Sequence, residues 1–173
     1  MSQFAVADAC KQVGVSSAAL YRHFESREAL LRAVAIEGFD ELARTTNAEN
    51  ARFKKGSASA IAAGGCGYVR FARAQPEIFR MMFGSSPNLR CDEEVHEHGM
   101  RCFGSLLDQL AARYGTDDAE EIKRHAFPLW TFVHGTAFLL IDEVYSHFVD
   151  DHDVEGMIGQ ATHRLLTPVP ALD

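Results

Sequence analysis

The chain has 173 residues, of which 47% are hydrophobic and 24% charged, and its formal net charge is -7. This length and apolar content favour one compact folded unit or two small ones and exclude a disordered tail. The negative charge argues against a protein that coats nucleic acid without regard to sequence. It allows a sequence-specific DNA binder whose positive charge is local.

Targeting signals and cysteine usage indicate an intracellular protein. No apolar run approaches the roughly 18 residues that would span a bilayer, and the first residues lack the charged and apolar regions of a signal peptide. The four cysteines, Cys10, Cys66, Cys91 and Cys102, include no C-x-x-C pair. Free thiols in a reducing compartment are the plain interpretation. We therefore predict a cytoplasmic protein.

The spacing of apolar residues predicts an all-α fold, because they recur every three or four positions and strand-type alternation is missing. The first predicted helix runs from Phe4 to Gln12 and ends at Gly14. The second runs from Ser16 to His23, and the third from Ser26 to about Ala43. The polar segment 45–57 is predicted to link the third helix to the rest, which gives two predicted domains, 1–45 and 46–173.

The second half of the chain is also predicted to be helical. One helix spans about Ser57 to Ala74, and Pro76 ends it and begins a short helix that stops at Gly84. Further predicted helices are Glu93 to Tyr114, a long helix that starts after the cap Asp117, runs to about Val149 and kinks at Pro128, and a last one from Asp153 to Leu166.

The two final predicted helices carry long apolar stripes together with the small residues Gly135, Gly156 and Gly159. Such helices suit close antiparallel packing, and two copies of the pair would form a four-helix bundle between protomers. The same stripes are also explained if both face the core of their own chain. The residues alone do not distinguish a dimer interface from a core.

The segment from Val13 to Leu31 has the pattern of a helix–turn–helix motif followed by a long helix. Gly14 suits a tight turn, and Ser16 and Ser26 are N-cap residues that accept from free backbone N–H groups. The short helix between them combines small residues with Tyr21, Arg22 and His23, which can reach bases or phosphates. The same Gly, Leu and Phe positions would also fit a plain helical corner, but that interpretation leaves the Tyr-Arg-His cluster unexplained.

This segment resembles the DNA-binding domain of the tetracycline-repressor (TetR) family. The matching strings are Gly14-Val-Ser16, Leu20-Tyr-Arg-His-Phe24 and Ser26-Arg-Glu-Ala-Leu-Leu31. The resemblance implies that the second helix enters the major groove of operator DNA. The residues expected to contact DNA on this basis are Ser16, Ser17, Ala18, Ala19, Tyr21, Arg22, His23 and Arg27.

The family pattern also implies one more full helix ahead of the segment that begins at Phe4. This chain begins downstream of that helix, so we expect a truncated helix–turn–helix domain. Either the start lies downstream of the true one, or the chain is a genuine truncation. Two functions follow as alternatives: a DNA-binding regulator, and a dimerising or ligand-binding interaction module that no longer binds DNA.

A second resemblance covers the later part of the chain. The strings Tyr68-Val-Arg-Phe-Ala, Gln75 to Gly84 and Trp130-x-x-Val-His-Gly135 are similar to the TetR-type C-terminal domain with a Trp-His-Gly signature. It implies a homodimer formed through the last two helices, and a repressor released from its operator by a small, apolar effector whose entry shifts the long helix near Pro128. The candidate ligand-binding residues are Tyr68, Phe71, Phe79, Met82, Phe83, Phe103, Leu107, Trp130, His134 and Phe138.

Several of these candidates have an ordinary structural explanation beside the functional one. Aromatic and methionine side chains at helical spacing are more often plain core than a ligand pocket. His134, beside Gly135, is likewise more simply a hydrogen-bonded core histidine than a ligand contact.

The sequence offers little for an enzyme, a metal site or a cofactor. It contains no Gly-rich phosphate loop, nucleophile elbow or metalloprotease motif. His96 and His98 are two residues apart and diverge on a helix, so a solvated acidic helix start explains that segment better. The residues around His147 and His152 fit a weak surface metal site or a polar turn equally well. We predict no catalytic residues, no metal and no cofactor.

Overall fold

The structure is a computed structural model that describes residues 22–84, 89, 91–144 and 153–167. Within these ranges the chain forms helices and turns and no strand, which confirms the predicted all-α fold. Six helices have their bounds there: α1 Arg27–Asn50, α2 Ala58–Ala74, α3 Pro76–Phe83, α4 Glu93–Tyr114, α5 Ala119–Ile141 and α6 Val154–Leu165. The predicted helix Phe4 to Gln12 and the predicted recognition helix up to Tyr21 lie outside the described residues.

Polar side chains immediately before the helices set where most of them begin. Ser26 Oγ accepts from Ala29 N at 3.0 Å before α1, and Ser57 Oγ accepts from Ala60 N at 3.1 Å before α2. Asp92 and Asp153 cap α4 and α6 in the same way. These bonds satisfy backbone N–H groups that the first helical turn leaves free.

The cap of α5 differs from the prediction by one residue. Asp118, not Asp117, is the N-cap, and its Oδ1 accepts from Glu120 N at 2.9 Å and Glu121 N at 3.3 Å. A helix can start at either of two adjacent acidic residues on sequence grounds. The backbone conformation of the preceding turn decides between them.

The predicted end of the third helix at Ala43 is wrong, because α1 continues to Asn50. The sequence of the last two turns of α1 is polar and therefore resembles that of a linker. Thr46 and Asn50 are nevertheless buried against neighbouring helices, and the Thr46 hydroxyl donates to the Leu42 carbonyl at 3.0 Å. Tertiary burial therefore overrides the weak local preference.

The predicted end of the long helix near Val149 is also wrong. The helix α5 contains Pro128 but ends at Ile141, where Asp142 is the C-cap and Glu143 adopts a positive φ of 56°. Arg80 of α3 holds this end, because its guanidinium donates to the Ile141 carbonyl and to Asp142 Oδ1 at 2.8 Å. Residues 145–152 lie outside the described part, and the kink at Pro128 stays a prediction.

The helix α2 is central and contacts the other five helices. The helices α1 and α4 run parallel, since their contacts advance together along both. The pairs are Arg32 with Asp92, Asp40 with His98, Asn50 with Ser105, and the following Gly56 with Gln109. This parallel pairing places equivalent levels of α1 and α4 side by side.

Two apolar clusters fill the space between the helices. The larger one includes the fully buried Phe79, with Phe71, Val133 and Ile158 around it. The second joins α2, α4, α5 and the end of α6 through Ile61, Leu110, Ile122, Ala126, Leu129 and Leu166. No helix in the described ranges is long and apolar enough to cross a membrane.

Candidate functional site

A cavity of about 480 Å³ lies between the helices, and each of the six helices contributes residues to its wall. A volume of this order suits a small organic molecule. Apolar and aromatic side chains make up most of the wall: Phe39, Ile61, Tyr68, Met82, Phe83, Leu89, Val95, Met100, Phe103, Leu106, Phe127, Leu129, Trp130 and Val133. Phe127 and Met100 line the cavity and are also exposed to solvent, so they lie at the rim of the cavity.

The structure brings half of the candidate ligand-binding residues to this wall. Tyr68, Met82, Phe83, Phe103 and Trp130 line the cavity. The remaining candidates lie outside its wall: Phe71, Phe79 and Phe138 pack in the larger cluster, His134 lies behind Tyr68 and Trp130, and Leu107 packs on the second cluster.

Sequence reasoning missed four polar residues of the wall, and it placed two of them in the predicted linker 45–57 because it ended α1 too early. Thr46 and Asn50 of α1 line the cavity, as do Ser105 and Gln109 of α4. Each pair is spaced four residues apart, so its members share one helix face. Polar residues recurring at that spacing on otherwise apolar faces were the signal available in the sequence.

The candidate His134 forms a hydrogen bond behind the cavity wall. Its Nδ1 lies 2.8 Å from the Tyr68 hydroxyl, and its ring stacks on Trp130 with centroids 4.8 Å apart. Burial lowers the pKa of His134, and burial raises the pKa of Tyr68 well above its ordinary value. Both side chains are therefore neutral near neutral pH, and the tautomer of the imidazole decides which of the two donates.

Polar side chains at the C-terminal end of α1 form a short hydrogen-bond chain. Asn50 Nδ2 donates to Ser105 Oγ at 3.1 Å, and Ser105 Oγ donates to Asn47 Oδ1 at 2.5 Å. Asn50 Oδ1 is buried and has no hydrogen-bond partner among the described residues. Nearby, Gln109 Oε1 accepts from Gly56 N at 2.8 Å, across a turn in which Gly56 has a positive φ of 78°.

The cysteines in the described ranges are free thiols, and two of them are held in the protonated form. Burial raises the pKa of Cys66 to about 11 and that of Cys102 to about 12. Cys102 lines the cavity as a small, neutral, apolar group. His98, from the acidic segment at the start of α4, contacts Asp40 Oδ1 at 2.6 Å, and no group of three potential metal ligands occurs within the described ranges.

Three of the candidate DNA-binding residues are described, and all three are exposed. Arg22 and His23 lie in the turn before α1, and Arg27 lies in its first helical turn. Phe24 packs against Leu30, which fixes this turn on the helix. The other candidates, Ser16, Ser17, Ala18, Ala19 and Tyr21, lie outside the described residues.

An apolar face of α5 and α6 is exposed to solvent. Leu139 and Leu165 are 44% and 39% exposed, and a shallow groove between the two helices is lined by Phe132, Met157 and Ala161, among others. A Cβ added at Gly135 or Gly159 would meet no atom within 4 Å. This face leaves room for another helix to approach closely.

The comparisons with known proteins test the predicted helix–turn–helix segment and the helical domain separately. A family model described as tetracyclin repressor-like, C-terminal domain matches residues 61–162. A second, described as bacterial regulatory proteins, tetR family, matches residues 1–34. Because the first match alone covers more than half of the chain, the chain belongs to the TetR family of transcriptional regulators. The family points to a regulator rather than an enzyme.

Solved structures support the fold. A protein of unknown function from Rhodococcus sp. RHA1 is 24% identical, with a TM-score of 0.74 over 94% of this chain and 82% of that one. A candidate regulatory protein, SCO4313, is 20% identical, with a TM-score of 0.72 over 95% and 85% of the two chains. PfmR, a TetR family transcriptional regulator from Thermus thermophilus, is 16% identical, with a TM-score of 0.59 over 94% and 87%. No curated protein sequence matches the chain.

Proposed function

We propose that this protein is a cytoplasmic, homodimeric repressor that a small, mainly apolar ligand releases from its operator. The observation that carries the proposal is the position of α1. This helix begins directly after the helix–turn–helix segment, and its later turns form one wall of the cavity. A molecule that fills the cavity presses on the same helix that follows the DNA-binding segment.

The helix α1 runs without a break through the proposed boundary between a DNA-binding domain, 1–45, and a regulatory domain, 46–173. A continuous helix transmits a displacement from one part to the other as a rigid element. Near the start of this helix, Arg32 pairs with Asp92 at 2.9 Å and with Glu94. The start of α4 is thereby tied to α1, so movement of either helix reaches the other.

The DNA contacts in this proposal come from Ser16, Ser17, Ala18, Ala19, Tyr21, Arg22, His23 and Arg27. The exposure of Arg22 and Arg27 supports it, because an exposed guanidinium beside the start of α1 can reach a phosphate. Two copies of this surface are needed to read two half-sites of an operator. The exposed apolar face of α5 and α6 is the surface we assign to dimerisation.

The test is a mobility-shift titration on DNA that the protein selects from a random-sequence pool. Arg27→Ala should weaken binding by about tenfold or more and reduce its salt dependence, because it removes a phosphate contact from each protomer. Arg52→Ala is the matched control and should bind as the wild type does, because Arg52 is exposed but lies in the turn after the C-terminal end of α1. A chain that dimerises but selects no DNA would instead be the interaction module.

A further inference from the structure

Among the described residues, the cavity wall carries no charged carboxylate, ammonium or guanidinium group. None of the described residues that line it is Asp, Glu, Lys or Arg. Among its titratable residues, Tyr68 and Cys102 are buried and neutral, and His96 is exposed. A charged ligand group would lose its hydration there without gaining an opposite charge. The described part of the wall therefore favours an uncharged molecule.

Four polar residues of the wall lie at one end, whereas His96 lies in the first turn of α4 and is exposed. Thr46 and Asn50 lie four residues apart on α1, and Ser105 and Gln109 lie four apart on α4. Because α1 and α4 run parallel and Asn50 contacts Ser105, the two pairs face the same level of the cavity. Phe39 precedes Asn50 on α1 by about 16 Å along the helix axis, at 1.5 Å per residue. The ring of Phe83 lies beside that of Phe39, at a centroid distance of 5.3 Å.

The polar end has hydrogen-bonding capacity that the protein does not use. Asn50 Nδ2 is engaged by Ser105, but Asn50 Oδ1 is buried without a partner among the described residues. This oxygen lies against Gly64 of the cavity wall, where an added Cβ would come within 2.1 Å of it. Since Gln109 Oε1 is engaged by Gly56, the Nε2 group is the part of Gln109 that remains to donate. A buried amide oxygen that accepts no hydrogen bond costs free energy, so a ligand that supplies a donor would stabilise it.

We propose that the ligand is an uncharged, elongated molecule with an apolar body and one neutral group that both donates and accepts hydrogen bonds, a hydroxyl or a primary amide. Its body lies on Phe39, Phe83 and Trp130, and its polar group binds Asn50 and Gln109. This inference rests on the proposed function, in which the cavity receives the effector.

The first experiment measures displacement of N-phenyl-1-naphthylamine, an uncharged fluorescent probe, by three ten-carbon compounds. Decan-1-ol has the proposed head group, 1-methoxynonane lacks its donor, and decanoate carries a charge. We expect decan-1-ol to displace the probe at concentrations about tenfold lower than decanoate and several-fold lower than the ether. The greater hydrophobicity of the ether works against this result, so a preference for the alcohol reports hydrogen bonding.

Variants locate the head group. Asn50→Leu, which is close in size to asparagine, should remove the preference for the alcohol and leave the affinity for the ether within about twofold. Thr136→Val is the matched control: Thr136 is buried and its hydroxyl donates to the Phe132 carbonyl at 2.8 Å, but it does not line the cavity. If Asn50→Leu fails to fold, Gln109→Glu keeps an oxygen for Gly56 and removes the Nε2 donor. This variant should weaken binding of the ether, which can only accept a hydrogen bond, more than binding of the alcohol, which can donate to the carboxylate.

Two outcomes overturn the inference. Equal displacement by decanoate and decan-1-ol would show that the cavity accepts charge, and equal displacement by the alcohol and the ether would show that the polar end is not used. Absence of probe binding would overturn it as well. None of these results changes the mobility shift on selected DNA, so failure of the inference remains distinguishable from failure of the regulator proposal.

Discussion

The Tyr68 hydroxyl and the His134 imidazole form a hydrogen bond of 2.8 Å that joins α2 to α5 directly behind the cavity wall. Aromatic rings surround the pair: Trp130 stacks on His134, and Phe83 meets the imidazole edge-on at a centroid distance of 4.7 Å. Tyr68, Trp130 and Phe83 also line the cavity. The network therefore fixes the orientation of three wall residues at once.

Removal of the Tyr68 hydroxyl should lower the stability of the fold. In Tyr68→Phe, Nδ1 of His134 is left buried without its hydrogen-bond partner, and we expect the free energy of unfolding to fall by about 1–3 kcal/mol. Urea denaturation measures it. Tyr114→Phe is the matched control, since the Tyr114 hydroxyl makes only a 3.4 Å contact with the Leu166 carbonyl. Equal losses in the two variants would contradict the role assigned to the Tyr68–His134 bond.

The titration of His134 should make the protein less stable in mild acid. Burial lowers its pKa below the ordinary value of 6.5, so below that pH the unfolded chain binds a proton that the folded chain does not. The stability due to neutral His134 is therefore complete above pH 6.5 and is lost as the pH falls toward the lowered pKa of the folded state.

The variant His134→Gln isolates this effect, because glutamine can still accept from Tyr68 but does not titrate. Urea unfolding at about pH 8, where both side chains are neutral, gives the difference due to packing alone. On acidification to about pH 5.5, below the ordinary histidine pKa, the wild type should lose more unfolding free energy than the variant does. Parallel pH profiles would show that His134 is not the titrating group.

The close approach of α1 to α2 at Gly64 should not tolerate a methyl group. In Gly64→Ala the new Cβ would come 2.1 Å from Asn50 Oδ1, so the Asn50 side chain must leave its bond to Ser105. We expect a loss of about 1–3 kcal/mol in the free energy of unfolding, which is typical of overpacking.

Gly104→Ala is the matched control for that change. Gly104 is also within a helix, and an added Cβ there meets nothing within 4 Å. Because alanine favours helix over glycine by up to about 1 kcal/mol, this variant should be as stable as the wild type or more so. Thermal unfolding of Gly64→Ala and Gly104→Ala, measured side by side, compares the two. If Gly104→Ala were also destabilised, the loss in Gly64→Ala could not be attributed to the contact with Asn50.

The exposed face of α5 and α6 should mediate dimerisation. Leu139→Glu places a charge on it, and we expect the dimer dissociation constant to rise at least about tenfold, equivalent to about 1.4 kcal/mol. Light scattering over a dilution series measures the mass. Phe53→Glu is the control, because Phe53 is 44% exposed, as Leu139 is, but lies in the turn between α1 and α2. Dissociation by both variants, or by neither, would place the interface elsewhere.

Local signals account for the helix bounds that the sequence predicted well. The start of α2 follows from Ser57, the start of α3 from Pro76, and the end of α4 from Gly115, which adopts a left-handed conformation with φ 64°. Each acts through its own backbone or its nearest neighbours. The bounds that were wrong, at the ends of α1 and α5, depend on contacts with residues far away in the chain.

The candidate ligand-binding residues were also predicted only in part. Aromatic residues such as Trp130 and Phe103 were found because large apolar side chains on helical stripes must be buried somewhere. Phe71 and Phe79 belong to the same stripes, but they pack into the core. Apolar spacing does not distinguish a cavity wall from a packed core, since both remove apolar side chains from the protein surface.

By itself the sequence determined the helical class, the family and most cap positions, because periodicity, capping chemistry and short motifs are local properties of the chain. Only the tertiary structure decided that α1 extends into the cavity wall, and that Asn50 and Gln109 both line the cavity. Those features arise from the parallel packing of α1 and α4, whose contacting residues are more than 50 positions apart. Local patterns carry no information about such a pairing.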